Sequence, residues 1–412
     1  MKSFLKLLFS FTTISFLNKA IPLITVPILT NNLGLADYGR YVFALASIAF
    51  FDTLINFGFK TTAVNELILC DDIKQESFLF FKIISLKGLM LLISLLIIFI
   101  YNLFFPFQDS ETLIYCIPFL FGYVLNQEWF FHGKKQMLFI MVLTFVIRVG
   151  YLIAIINMIS TPDDLNLALL ISSSSFFVLS FLGTTYAISK YNLTFVSFPK
   201  LKDIYNQFLQ NIFFFLATLS VYFSSSFNLI LLGNFYDIKS VGIYAIADKV
   251  IKAVNELSTP FNNAIYPRLS SLYKDNPNLY IKSKKQFSYL LFFIFLTTSI
   301  LIVFNSEYVI SFFISDLTQL DLGIYLLIIL SISTPFNSLN SFYSIIYVIN
   351  QKQRLLFQVT AFASVISIIT LSLIGYYFEI IYFAIGFVLM QLLTYSILRK
   401  EIVIHTNYSK KT

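Results

Sequence analysis

Uninterrupted apolar runs recur along the whole chain, and no interval between them is long enough to hold a large soluble domain. Runs such as Gly88–Phe107 and Leu290–Phe304 approach the roughly 20 residues that a helix needs to cross the hydrocarbon of a bilayer. Inside lipid every backbone N–H and C=O must be satisfied within the structure, so only helices and closed barrels can span it. The strict alternation of a lipid-facing barrel strand is missing here, which leaves helices. Composition agrees. Of 412 residues, 58% are hydrophobic and 12% charged, about half the charge of an ordinary soluble domain. So few charges cannot provide a solvated surface, and lipid is the solvent for much of this chain.

About twelve crossings are expected, at 7–30, 41–66, 83–105, 112–131, 138–159 and 166–188, then 208–233, 241–266, 287–304, 320–346, 357–377 and 380–398. The start, MKSFLKLLFSFTT, has the basic residues of a signal peptide. Its apolar run continues through Ile21–Leu29 without a small-residue cleavage site, so it reads as the first helix. The net charge of +7 would fit a nucleic-acid partner if it were spread over a surface. Instead the basic residues gather in alternate connections. Lys2, Lys6, Lys74, Lys82, Lys134, Lys135, Lys190, Lys200, Lys284, Lys285, Arg354 and Arg399 lie on one side; Arg40 and Lys239 lie on the other, with acids such as Asp109, Asp163, Glu307 and Asp321. That asymmetry places both termini in the cytoplasm of a bacterial inner membrane and leaves no role for nucleic acid.

The longest connections, 189–207 and 267–286, both fall on the basic side. The first suits a linker between two lobes. The expected organisation is an N-terminal six-helix lobe at 1–190, a cytoplasmic linker at 191–207, a C-terminal six-helix lobe at 208–398 and a cytoplasmic tail at 399–412. Each lobe opens alike: LGLADYGRYVFA over Leu33–Ala44, and LGNFYDIKSVGIYAIA over Leu232–Ala247, with four extra residues in the turn. Paired glycines allow tight backbone geometry, and Tyr41 and Tyr244 are expected at the interface. Both lobes start from the same side, so the repeats are parallel, an arrangement found in transporters with a central site. An all-α membrane protein with two such lobes around a central cavity is the fold expected.

These residues resemble the polysaccharide-flippase branch of the multidrug/oligosaccharidyl-lipid/polysaccharide exporter superfamily, the Wzx-type O-antigen translocases. The likeness rests on PLITVPILTNNLGLADYGRY (Pro22–Tyr41), NFGF (Asn56–Phe59), WFFHG (Trp129–Gly133), VGIYAIADK (Val241–Lys249) and YPR (Tyr266–Arg268). It departs from the family pattern at Asn56, at Asn65–Glu66 and at His132. The resemblance implies movement of an undecaprenyl-pyrophosphate-linked oligosaccharide by alternating access, with proton or sodium coupling, in the company of a polysaccharide polymerase and a chain-length regulator. The alternatives are a multidrug or cation exporter of the same superfamily, and a membrane-embedded polymerase or acyltransferase.

Charges inside the helices carry the chemistry. An ion at helix centre costs about 2.5–3.5 kcal/mol on insertion scales, so each needs a partner, a wet cavity or a ligand. Lys19, Arg148, Lys249 and Lys252 are the candidate substrate-binding cations, Arg for bidentate grip on phosphate oxygens and Lys as a mobile point charge. The competing reading is internal pairing, Lys19 with Asp52 or Lys252 with Asp248. Asp52, Asp248 and Glu256 are the candidate ion-coupling or charge-balancing acids; Asp248, Lys252 and Glu256 share a helix face at spacing four. Lys60 and Lys87 are expected to snorkel to the interface, and Trp129 to anchor there. Pro22, Pro27, Pro260 and Pro335 are expected to kink their helices. Cys70 and Cys116 read as small apolar fillers. With two histidines, His132 and His405, and no phosphate loop, HExxH or nucleophile elbow, the chain offers no catalytic residues, cofactor or metal site.

Overall fold

The computed structural model describes residues 2–104, 110–314 and 317–408; the side chain of Lys19 lies outside that description. Regular structure among the described residues is entirely helical. By packing the chain forms two compact units, Met1–Tyr222 and Phe223–Thr412.

In the first unit, α1 (Lys2–Asn56) carries helical bonding through 55 residues, about 80 Å if straight and far longer than a bilayer is thick. Gly34 breaks it, with φ 79° and ψ 167°, backbone that a residue lacking Cβ adopts readily. The first two crossings therefore meet at one residue, where the sequence suggested a connection over 31–40. Polar residues there do not end the helix, because they satisfy one another locally: Arg40 pairs with Asp37 at 2.8 Å. The second crossing breaks again at Phe57 and Gly58, both at positive φ, and resumes as α2 (Phe59–Ile68).

α3 (Ile73–Phe104) begins well before the expected boundary at 83. Lys74, Glu76 and Lys82 end the apolar run but not the helix, since hydropathy marks the edge of lipid while backbone bonding continues into water. The fourth crossing is a broken series, α4 (Ser110–Ile114), α5 (Ile117–Leu125) and α6 (Glu128–Gly133). α7 (Met137–Met158) and α8 (Leu165–Lys190) follow, and after a non-helical stretch α9 (Leu201–Ser225) begins. Lipid supplies no hydrophobic drive between helices, so close approach relies on small residues and interhelical hydrogen bonds. α8 meets α5 through buried Ser173, Ser180 and Thr184. Ser173 Oγ donates to the Tyr115 carbonyl at 2.7 Å and Thr184 Oγ1 to the Leu125 carbonyl at 2.5 Å.

The second unit continues with α10 (Phe227–Phe235), α11 (Ile238–Asn255), α12 (Ser258–Asp275), α13 (Pro277–Phe304), α14 (Ser306–Phe313), α15 (Leu317–Ser331), α16 (Thr334–Ile349), α17 (Gln353–Tyr377) and α18 (Ile380–Tyr408). The expected connection at 267–286 is nearly all helix. α12 and α13 are separated only by Asn276, whose side chain accepts from the Leu279 amide at 3.1 Å and so caps α13. Its core joins Leu269, Phe295, Phe342, Ile346 and Tyr347 from α12, α13 and α16. Pro260 and Pro335 fall in the first turns of α12 and α16, where a missing N–H costs no intrahelical bond, and breaks in the helices precede them.

By length and hydropathy eight described helices can cross a membrane, and α9 with α10, bent by 46°, makes a ninth. The rest of the expected twelve lie in α1, which Gly34 divides, and in the broken series α4–α6 and α11–α12. The repeated tyrosines are packing anchors, not interfacial ones. Tyr41 is buried, with its hydroxyl 2.7 Å from Ser172 Oγ, and buried Tyr244 packs edge-on against Phe383. Both face neighbouring helices of their own unit, which periodicity in one helix cannot reveal.

Candidate functional site

The breaks in the helices position most of the polar chemistry. In the first unit α5 ends at Leu125 and α6 starts at Glu128, leaving carbonyls with no helical donor. Lys87 supplies it: its Nζ donates to the Asn126 carbonyl at 2.6 Å and reaches that of Tyr123 at 3.5 Å. A cation at a helix C-terminus also meets the negative end of the backbone dipole. Lys87 is 0% exposed, so it does not snorkel. It lies on the inner face of α3, and three-dimensional packing closes over it.

The same break shapes a cavity of about 290 Å³ among α1, α6, α7 and α8, lined by Asn18, Gln127, Glu128 and Arg148. Arg148 makes no ion pair or hydrogen bond among the described residues. Asn18 donates to the Met141 carbonyl at 3.1 Å, while its buried Oδ1 has no partner among the described residues. Trp129 is 2% exposed and donates Nε1–H to Gln127 Oε1 at 2.5 Å. It packs with Phe80 and Phe130 inside the unit and is not an interfacial anchor; the aromatic run plugs the gap that the broken helix opens.

Asp52 accepts from Asn56 Nδ2 at 2.5 Å. Whether Lys19 faces it falls outside the described side chains. One turn or more beyond, Glu66 accepts from Gln207 Nε2 at 2.5 Å and pairs with Lys82 at 3.2 Å, while Lys82 also donates to Gln207 Oε1 at 2.8 Å. Thr62 donates to Asn211 Oδ1. These bonds seat α9 on α2, and Gly58 lets the Phe214 backbone come close: a Cβ there would stand 2.7 Å from Phe214 Cβ. Gln207 and Asn211 escaped notice in the sequence because they are uncharged. Their spacing of four in an apolar helix, opposite an acid at the end of another, was the available signal.

In the second unit Asp248 and Lys252 form an ion pair at 2.7 Å, and Lys252 also donates to the Ser225 carbonyl at 3.3 Å, at the break between α9 and α10. The Lys252 side chain is nevertheless 43% exposed, against 11% for Asp248. Lys249 is half-buried and makes no ion pair or hydrogen bond among the described residues. Glu256 is exposed where α11 ends. Arg148 thus belongs to the first unit and Lys249, Lys252, Asp248 and Glu256 to the second. Cys70 and Cys116 are free thiols, half-buried and buried.

A family profile described as polysaccharide biosynthesis protein matches residues 4–273, well over half of the chain. A protein of Escherichia coli (strain K12) named "Putative O-antigen transporter" is 24% identical over 257 residues, 62% of this chain and 62% of its own length. One of the same name from Shigella dysenteriae is 23% identical over 262 residues, 62% of this chain and 64% of its own. The match thus spans less than two thirds of these curated relatives. Two solved structures share the fold. An inward-facing MATE multidrug resistance transporter of the MOP superfamily superposes with a TM-score of 0.76 at 14% identity, covering 96% of this chain and 99% of the other. The lipid II flippase MurJ, inward closed, superposes with a TM-score of 0.76 at 15% identity, covering 95% and 87%.

Proposed function

The chain belongs to the polysaccharide biosynthesis protein family, and from that premise we propose that it is a flippase for an undecaprenyl-pyrophosphate-linked oligosaccharide. The cargo would be an O-antigen or capsule repeat unit, moved from the cytoplasmic to the periplasmic leaflet of a bacterial inner membrane, with both termini in the cytoplasm. Lobes at 1–190 and 208–398 would give alternating access. The names of the curated relatives support the cargo class. The single observation that carries the reading is Lys249, a half-buried cation of α11 that makes no ion pair or hydrogen bond among the described residues. Held alone in lipid such a charge costs about 2.5–3.5 kcal/mol, and a pyrophosphate passing beside it offsets that cost. Arg148 stands in the same condition. Lys252 shares its charge with Asp248 but is exposed enough to exchange partners, so ligand contact and pairing are successive states of one side chain. Lys19 completes the cationic set. Asp52, Asp248 and Glu256 would balance these charges or couple transport to a proton or sodium gradient.

The test is complementation of a flippase-null strain by Lys249→Gln and Arg148→Gln, with protein level followed by blot. Normal insertion with loss of surface polysaccharide is expected. Full recovery by both variants would remove the cationic path from the mechanism.

A further inference from the structure

One end of the second unit holds a cavity of about 390 Å³ between α13, α16 and α18. Lys284, Lys285 and Arg399 line it together with Tyr289, Tyr343 and Tyr395, and no carboxylate does. None of the three cations makes an ion pair among the described residues. The tyrosines organise them. Arg399 donates Nη1–H to Tyr395 OH at 3.2 Å and lies 6.0 Å from that ring's centre. Lys285 Nζ is 5.8 Å from the centre of the Tyr289 ring. The floor, Phe292 and Leu339, is apolar. Along α13 the lining passes from Lys284 and Lys285 through Ser288 and Tyr289 to Phe292, about 12 Å at 1.5 Å per residue, with Ile281 one turn before the lysines.

We infer that this cavity binds the phosphate headgroup of an anionic phospholipid from the surrounding leaflet. Phosphate chemistry follows from three cations with no ion pair among the described residues, one an arginine able to grip two oxygens at once, beside hydroxyl donors. A lipid source, as opposed to free phosphate, follows from the apolar base and from exposed Tyr289 beside it, which suit glycerol and the first methylenes. The location also fits: Lys282, Lys284, Lys285, Arg399 and Lys400 gather at this end, and basic pockets between membrane helices on the cytoplasmic side favour anionic headgroups. The site lies wholly within the second unit and is independent of the carrier-linked cargo proposed above.

The experiment uses full-length protein, delipidated in detergent, with bound lipid counted by native mass spectrometry during titration with cardiolipin, phosphatidylglycerol or phosphatidylcholine. At about fivefold per basic residue, the three cations should favour cardiolipin over phosphatidylcholine by roughly a hundredfold. Lys284→Gln, Lys285→Gln and Arg399→Gln combined should abolish that preference, whereas Lys282→Gln, outside the cavity, should keep it. Should the triple variant fail to fold, Arg399→Gln alone should weaken cardiolipin about fivefold while Arg399→Lys keeps most of the affinity. Equal affinity for phosphatidylcholine, a preference that survives the triple substitution, or cardiolipin affinity unchanged by Arg399→Gln, would overturn the site. Inorganic pyrophosphate that displaces cardiolipin at equal concentration would overturn the lipid assignment and leave a soluble-phosphate site. No step measures transport, so failure here leaves the flippase reading standing, and the reverse also holds.

Discussion

Gly58→Ala tests whether the seating of α9 on α2 holds the first unit together. Gly58 has φ 79° and ψ 0°, left-handed backbone that costs an alanine about 1–2 kcal/mol. The new Cβ would also meet Phe214 Cβ at 2.7 Å, the Phe215 nitrogen at 3.1 Å and the Phe214 carbonyl carbon at 3.2 Å, where ordinary contact begins at 3.4 Å. These are Cβ and main-chain atoms of a packed helix, not the tip of a flexible side chain, so α9 itself must retreat. Overpacking of that kind adds about 1–3 kcal/mol. The sum, about 2–5 kcal/mol, is comparable with the margin by which many proteins stay folded. Gly150 is the control: nothing lies within 4 Å of its Cβ position, and a helical alanine there should be neutral or stabilising by up to about 1 kcal/mol. Melting of the detergent-solubilised protein should drop for Gly58→Ala and hold or rise for Gly150→Ala. Seating can be read directly by disulfide cross-linking of Thr62→Cys with Asn211→Cys after Cys70 and Cys116 are replaced, because those two side chains hydrogen-bond in the native packing. Cross-linking should fall when Gly58→Ala is added. An unchanged melt with undiminished cross-linking would refute the reasoning.

Lys87→Met should destabilise the first unit by about 1–3 kcal/mol per lost bond, because it leaves the Asn126 and Tyr123 carbonyls without their donor in a buried site; parental melting would show that water already serves them. Reporter fusions after Asp163 and Asp321 should read periplasm, and after Lys135, Lys202 and Asn276 cytoplasm; two reversed readings would overturn the orientation.

Much of this protein is legible in the chain alone. Membrane residence, helical class and about twelve crossings follow from the length and polarity of each segment, since lipid tests segments one at a time. The orientation expected from Lys and Arg has the same origin. WFFHG and NFGF carried the family resemblance, whereas the backbone breaks at Phe57 and Gly58 and before Glu128 fall inside segments expected as the continuous helices 41–66 and 112–131.

Partnership was decided only by tertiary structure. Lys87 and Lys252 look alike in sequence, as cations within apolar helices, yet one is sealed in and caps α5, whereas the other bridges Asp248 and a carbonyl at 43% exposure. Trp129 is buried because a broken helix needs filling, and Gly34 joins two helices with no loop because its backbone alone makes the break. Hydropathy records the preference of a residue for water or lipid. Inside a bundle the alternative to lipid is another helix, and which helix faces a given side chain is a property of the packing, so pairing, capping and burial became visible only there.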